Sequence, residues 1–229
     1  CNTPDGMTLL PDQSVIVSVP NFNDQKQAPL LVKITKDNKV EDFYKLPPNP
    51  DTQRMGPMGI RVAPSGDLFL SDNQVFHGKD GKSLMGKSRL VRIVVKDGKP
   101  EKLVVVASKL NVANGLAIHG GYVYMTETML VPDSKPLVSG VFRFKLDEEN
   151  VEMKQPLETD PHLVLKIESS GDIGFGADGI CFDKSGNMYV NCFESAVIRK
   201  VKLDDAGKVV SNEVFAQAPF MQSTDGMDY

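Results

Sequence analysis

Apolar and polar residues alternate along most of the chain with a period of two, the signature of half-buried strands, and a helical period is hard to find anywhere. One phrase recurs: a dipeptide ending in Gly, an apolar strand, a tight polar turn, and a second alternating strand. Its copies open at Asp5-Gly6 (DGMTLLPDQSVIVS), Met58-Gly59 (MGIRVAPSGDLFLS), Asn114-Gly115 (NGLAIHGGYVYMT) and Asp178-Gly179 (DGICFDKSGNMYVN), and Asp225-Gly226 begins a fifth in DGMDY. The turns PDQS, PSGD, HGG and DKSG supply the residues that set turn dihedrals, so each copy predicts a β-hairpin. A second, wetter hairpin follows each: LLVKITKDNKVEDFY from Leu30, RLVRIVVKDGKPEKLVVV from Arg89, GVFRFKLDEENVEM from Gly140 and AVIRKVKLDDAGKVVSNEVF from Ala196.

Two hairpins make a four-stranded antiparallel sheet, and the openings at 5, 58, 114, 178 and 225 give a repeat that fits propeller blades carrying loop insertions. The expected fold is therefore all-β, a β-propeller of four-stranded antiparallel blades. About four blades and the start of a fifth are expected, as one domain over 1–229 that such a count would leave incomplete at both ends. Three long connections, FNDQKQAP after Asn21, FHGKDGKSLMGK after Val75 and MLVPDSKPLVS after Thr128, are expected between the hairpins of a blade, on the face where propellers bind ligands.

Composition narrows the functions. The net charge of −4 comes from scattered acids and bases, without the basic stripe that tracks nucleic acid, and no run is long and apolar enough to span a bilayer. Cys1, Cys181 and Cys192 lack the paired close spacing of a zinc site, and Cys181 and Cys192 read as core thiols on two arms of one hairpin. Cys1 leaves the compartment open: cytoplasmic, or periplasmic or secreted if it follows a removed signal segment. His77, His119 and His162 share no repeat position, and only His77, in the second long connection, is placed to touch a substrate.

In a propeller the first strand of every blade lines the axis, so repeat position becomes spatial adjacency. The residues at that position are Asp5, Met58, Asn114, Asp178 and Asp225. Three carboxylates and an amide carbonyl are hard oxygen donors suited to Ca²⁺ or a similar divalent ion, Zn²⁺, Mn²⁺ and Mg²⁺ being alternatives. The same pairs also serve as ordinary turn formers. Within the set Gly is constant while its predecessor varies, which assigns the Gly to the backbone and leaves the preceding residue for chemistry.

The stretches NGLAIHGGYVYMTET (Asn114 to Thr128) and DGICFDKSGNMYVNCFESAVIRKVKLDDAG (Asp178 to Gly207) resemble the senescence-marker protein, regucalcin and gluconolactonase group of six-bladed propellers. The resemblance implies six blades in the complete protein, and Asn114 and Asp178 as metal ligands. The early-blade Glu of that group has no match here. Asp5 either stands in for it or belongs to the following blade, and the register of Asp225 is open in the same way. The implied activity is metal-dependent opening of a small lactone or related ester, with Asp178, and Glu127 second, as proton acceptor. Asp72 and Asn73 at the end of LFLSDN, with His77 and Arg61, are expected to contact substrate. The alternative is a non-catalytic calcium-binding propeller that presents a ligand- or protein-binding face.

Overall fold

The computed structural model describes residues 2–77, 82–221 and 223–228. Cys1, residues 78–81 of the second long connection, and Tyr229 at the end of the fifth motif lie outside the described residues. Apart from three short 3-10 turns, every regular element described is a strand. The class is all-β, built of four-stranded antiparallel propeller blades.

Blade one runs in chain order through β1 (Met7–Leu9), β2 (Val15–Val19), β3 (Leu30–Ile34) and β4 (Val40–Lys45). Blade two contains β5 (Pro57–Val62), β6 (Leu68–Asp72), β7 (Ser88–Lys96) and β8 (Lys99–Leu110). Blade three begins with β9 (Ala113–His119), β10 (Tyr122–Val131) and β11 (Leu137–Lys145). After these come β12 (Val151–Glu152) and β13 (Leu163–Ser169), and blade four is β14 (Ala177–Phe182), β15 (Met188–Cys192), β16 (Val197–Leu203) and β17 (Val209–Gln217).

Blade three departs from the sequence reading in two places. The segment ENVEM does not supply its outer strand: β12 instead adds to blade two, pairing parallel with β8 through Val151 opposite Ala107 and Glu152 opposite Ser108. The outer strand is β13, LVLKIES, which pairs antiparallel with β11 and lengthens this repeat. The expected long connection MLVPDSKPLVS is mostly strand, because β10 and β11 extend until Val131 faces Val138 and only a short turn joins them. The first connection is a loop between β2 and β3, and the described part of the second, between β6 and β7, carries the short 3-10 turn Val75–His77.

The chain divides into two compact units, Cys1–Ala113 with Glu148–Glu152, and Asn114–Asp147 with Met153–Tyr229. In the first unit Ile16, Leu31, Ile60, Leu70 and Ile93 form a core excluded from solvent, and in the second Val141, Ile167, Ile180, Val190 and Val201 do the same. Each such side chain contributes about 1.5–3 kcal/mol on burial. The residues of β6 are buried on both faces, as expected of an inner strand covered on each side. Among the described residues no helix is long and apolar enough to cross a membrane.

Candidate functional site

The repeated Gly has a spatial cause that recurs. A Cβ on Gly6 would sit 2.6 Å from the Met58 carbonyl oxygen, one on Gly115 2.2 Å from that of Asp178, and one on Gly179 2.4 Å from that of Asp225. Each glycine thus gives room to the carbonyl of the residue that opens the next repeat, which no side-chain-bearing residue permits. A polar residue at the end of the second strand fastens each approach. The Ser18 hydroxyl donates to the Met58 carbonyl at 2.6 Å, and the Thr126 hydroxyl accepts the Gly115 N–H at 2.8 Å and donates to the Asp178 carbonyl at 2.5 Å. Asn191 accepts the Gly179 N–H through Oδ1 at 2.8 Å and donates through Nδ2 to the Asp225 carbonyl. The sequence carries a signal for this in Ser18, Ser71, Thr126 and Asn191, which align at the end of the four repeated phrases and stand apart from the dipeptide positions.

In the second unit these contacts bring the openings of β9 and β14 together. Asn114 and Asp178 are each 7% exposed. Thr128, fully buried, donates its hydroxyl proton to the Ala177 carbonyl at 2.7 Å, and so must accept from the Asn114 amide Nδ2 at 3.3 Å. That assignment fixes the amide flip and turns Asn114 Oδ1 away from Thr128. Thr126 and Thr128 lie on one face of β10, so strand alternation puts the fully buried Glu127 on the opposite face. Its carboxylate accepts the Met129 N–H at 3.3 Å. Glu127 is therefore not joined to Asp178 through these threonines. Asp225 opens the next repeat against Gly179 and is exposed.

The remaining candidates belong to the first unit. The half-buried Asp5 opens β1, its N–H bonded to the Ser18 carbonyl at 3.0 Å. Asp72, expected to contact substrate, has its carboxylate closed in: it accepts from Arg89 Nε at 2.7 Å, the Gly56 N–H at 2.9 Å and Gln74 Nε2 at 2.5 Å, with no solvent exposure. Burial raises this carboxyl above its ordinary value, and the Arg89 guanidinium and the N–H donors oppose the shift. Asn73, also fully buried, accepts the Val75 N–H at 2.9 Å, while its Nδ2 has no hydrogen-bond partner among the described residues. Arg61 Nη1 donates to the carbonyls of Met7 at 3.1 Å and Ile60 at 2.9 Å.

The three histidines each pack on a phenylalanine: His77 edge-on to Phe22, His119 stacked on Phe182, and His162 stacked on Phe144 while its Nδ1 meets Asp160 at 2.8 Å. Desolvation holds His77 below its ordinary pKa. Cys181 on β14 and Cys192 on β15 do not face each other, since Cys181 pairs with Tyr189 and Ala177 with Cys192. Among the described residues no group of three or more His, Cys, Asp or Glu side chains is arranged to hold a metal ion. At the openings of β9 and β14 the chain carries an amide and a carboxylate, Asn114 and Asp178, whose oxygens are donors of the hard type that Ca²⁺ takes.

No protein-family model matches the sequence, and no curated protein matches it significantly. The fold is shared with solved structures. A structural-genomics protein with a provisional gluconolactonase assignment aligns with a TM-score of 0.58 and 15% identity over 97% of this chain and 66% of its own. A gluconolactonase from Xanthomonas campestris, described as important in glucose secondary metabolic pathways, aligns with a TM-score of 0.56 and 15% identity, over 98% and 65%. A luciferin-regenerating enzyme aligns with a TM-score of 0.54 and 15% identity, over 93% and 63%. The chain thus spans a little under two thirds of the length of each.

Proposed function

We propose that this chain belongs to a hydrolase that opens a small lactone or related ester, using a divalent cation, Ca²⁺ first, held by Asn114 and Asp178. The observation that supports this reading most directly is the Thr128 bridge. One hydroxyl orients the Asn114 amide and holds the backbone beside Asp178, so that an amide oxygen and a carboxylate stand ready at two neighbouring strand openings. Asp225, at the next opening, is the third candidate donor. The gluconolactonase neighbours add support through fold alone.

A cation bound there would polarise the ester carbonyl and stabilise the charge that develops on its oxygen. The chain's own groups have separate tasks. Asp178 accepts the proton of the attacking water, a role open to a carboxylate that keeps one oxygen for the proton. Asn114, neutral and held in one orientation by Thr128, contributes an oxygen without adding charge. Thr126 and Gly115 keep the two strand openings from separating. Glu127, on the far face of β10, is left outside this step.

The test pairs Asp178→Asn with Asn114→Ala in the full chain. Calorimetric titration with Ca²⁺ and pH-stat hydrolysis of gluconolactone are the readouts. Both variants should bind Ca²⁺ at least about tenfold more weakly, and Asp178→Asn should also lose hydrolysis at saturating Ca²⁺. Undiminished Ca²⁺ affinity together with undiminished hydrolysis in Asp178→Asn would refute the proposal.

A further inference from the structure

A pocket of about 300 Å³ lies wholly within the first unit, between the β2–β3 loop, the segment that leads from β4 into β5, and His77. That volume sits at the lower end of small-molecule sites, which run from roughly 300 to 1,000 Å³. Its lining is divided by chemistry. Pro20, Leu46 and Met55 are buried and form an apolar wall, while Lys26 and Arg54 are exposed and form a cationic rim. The rest of its polar lining is glutamine and His77, and no carboxylate is among the described residues that line it.

The sign of this rim runs against the molecule, whose net charge is −4. The nearby acids are engaged: Asp24 accepts from the Lys26 N–H at 3.2 Å and Gln27 Nε2 at 3.0 Å, Asp51 pairs with Lys87 at 3.2 Å, and Asp72, whose charge reaches His77, pairs with Arg89 at 2.7 Å. Arg54 reaches across the rim to Gln25 Oε1, which ties the segment before β5 to the β2–β3 loop. At the back, Gly56 gives room to the Asn73 carbonyl oxygen, 1.9 Å from where a Cβ would sit, and His77 Nε2 lies 3.2 Å from the same point. The Met55 backbone lies near enough to favour a proton on that ring. Yet neither ring nitrogen reaches a partner in hydrogen-bond geometry among the described residues, and both are buried. Buried polar atoms are rarely left so, and a bound group is one remedy.

We infer that this pocket binds a small organic carboxylate, its apolar body against Pro20, Leu46 and Met55 and its charge between Lys26 and Arg54. Arg and Lys on a partly dry rim recognise a carboxylate by charge-assisted hydrogen bonds. The apolar wall favours an organic body over a bare inorganic anion, because only the former gains from the area it covers. The inference is independent of the hydrolytic reading. Neither Asn114 nor Asp178 lines the pocket.

The experiment titrates the full chain, without added metal and at low salt, with benzoate and separately with inorganic phosphate, by calorimetry. Benzoate should bind saturably at one site, and phosphate should not. Arg54→Gln and Lys26→Gln should each weaken benzoate about tenfold, the effect of losing one charge-assisted bond. Circular dichroism verifies that both variants fold. NMR signals of the His77 ring should shift with the same midpoint, which locates the site without any substitution. Benzoate that does not saturate, phosphate that binds as tightly, or benzoate binding that survives both substitutions would overturn the assignment.

Discussion

Replacing Gly115 by Ala tests whether the repeat is built on close backbone approach. The glycine is not in the left-handed region, so alanine meets no dihedral penalty and the whole cost is spatial. Its Cβ would lie 2.2 Å from the Asp178 carbonyl oxygen, 3.1 Å from the Gly179 Cα and 3.2 Å from the Asp178 carbonyl carbon, all backbone atoms that no rotamer change can move. Relief requires β9 and β14 to part by nearly an ångström. That movement strains the Thr126 bond to Asp178 and the Thr128 bond to Ala177. Overpacking costs about 1–3 kcal/mol, and each weakened hydrogen bond adds about 1 kcal/mol, so the loss should be about 3–5 kcal/mol. The control is Gly121→Ala in the same unit. Gly121 has a φ of +83° and open space around its Cβ, so only left-handed strain of about 1–2 kcal/mol applies. The chain has no Trp, so guanidinium unfolding is best followed by far-ultraviolet circular dichroism. Gly115→Ala should lower the midpoint well below that of Gly121→Ala at equal slope. Equal midpoints for the two variants would refute the reasoning.

Arg89→Met leaves the Asp72 carboxylate buried without its cation, a change that costs about 3–5 kcal/mol at neutral pH. Burial then holds the folded carboxyl above the unfolded value of about 3.9, so the native state keeps a proton that the unfolded chain has released. Stability of the variant should fall as pH rises through that interval, and its deficit against the parent should be smaller near pH 4 than near pH 8 in denaturant titrations. A deficit independent of pH would show that Asp72 is not the group responsible. Burial also pushes the Cys192 thiol up to about 11. Only ~10⁻³ of it is thiolate at pH 8, so thiol labelling read by peptide mass spectrometry should find Cys192 inert until the chain unfolds. Rapid native-state labelling of Cys192 would contradict this.

The features legible in the sequence are the local ones. Alternation and turn-forming residues mark all four inner hairpins, with a glycine in three of the turns and Gln13 in the first, because a strand's period and a turn's dihedrals are set within a few residues. The Gly of the repeated dipeptide was visible, but its cause was not, since the carbonyl it makes room for lies in the next repeat. Blade three was misread at ENVEM for a related reason. A two-residue strand carries almost no periodic signal, and Val151 and Glu152 pair with Ala107 and Ser108 rather than with their neighbours in sequence. The stronger pattern of LVLKIES was passed over once that segment had been given the outer position. Asp72 shows the limit at the level of a side chain. It faces Arg89 directly across the β6–β7 pair, a register that cannot be counted through a connection of unknown course. Asn114 and Asp178 were legible as a pair, whereas the threonine that orients the first beside the second became visible only in three dimensions.

The polar fastening at each strand opening grips only main-chain atoms of the residues at 58, 178 and 225. That hold is indifferent to which side chain the opening residue carries. Where the residue is also exposed, as at 225, a library of substitutions that leaves Gly179 and Asn191 untouched should stay folded in most of its members. The buried positions 58 and 178 add a packing constraint of their own, so side-chain chemistry is freest to vary at the exposed opening.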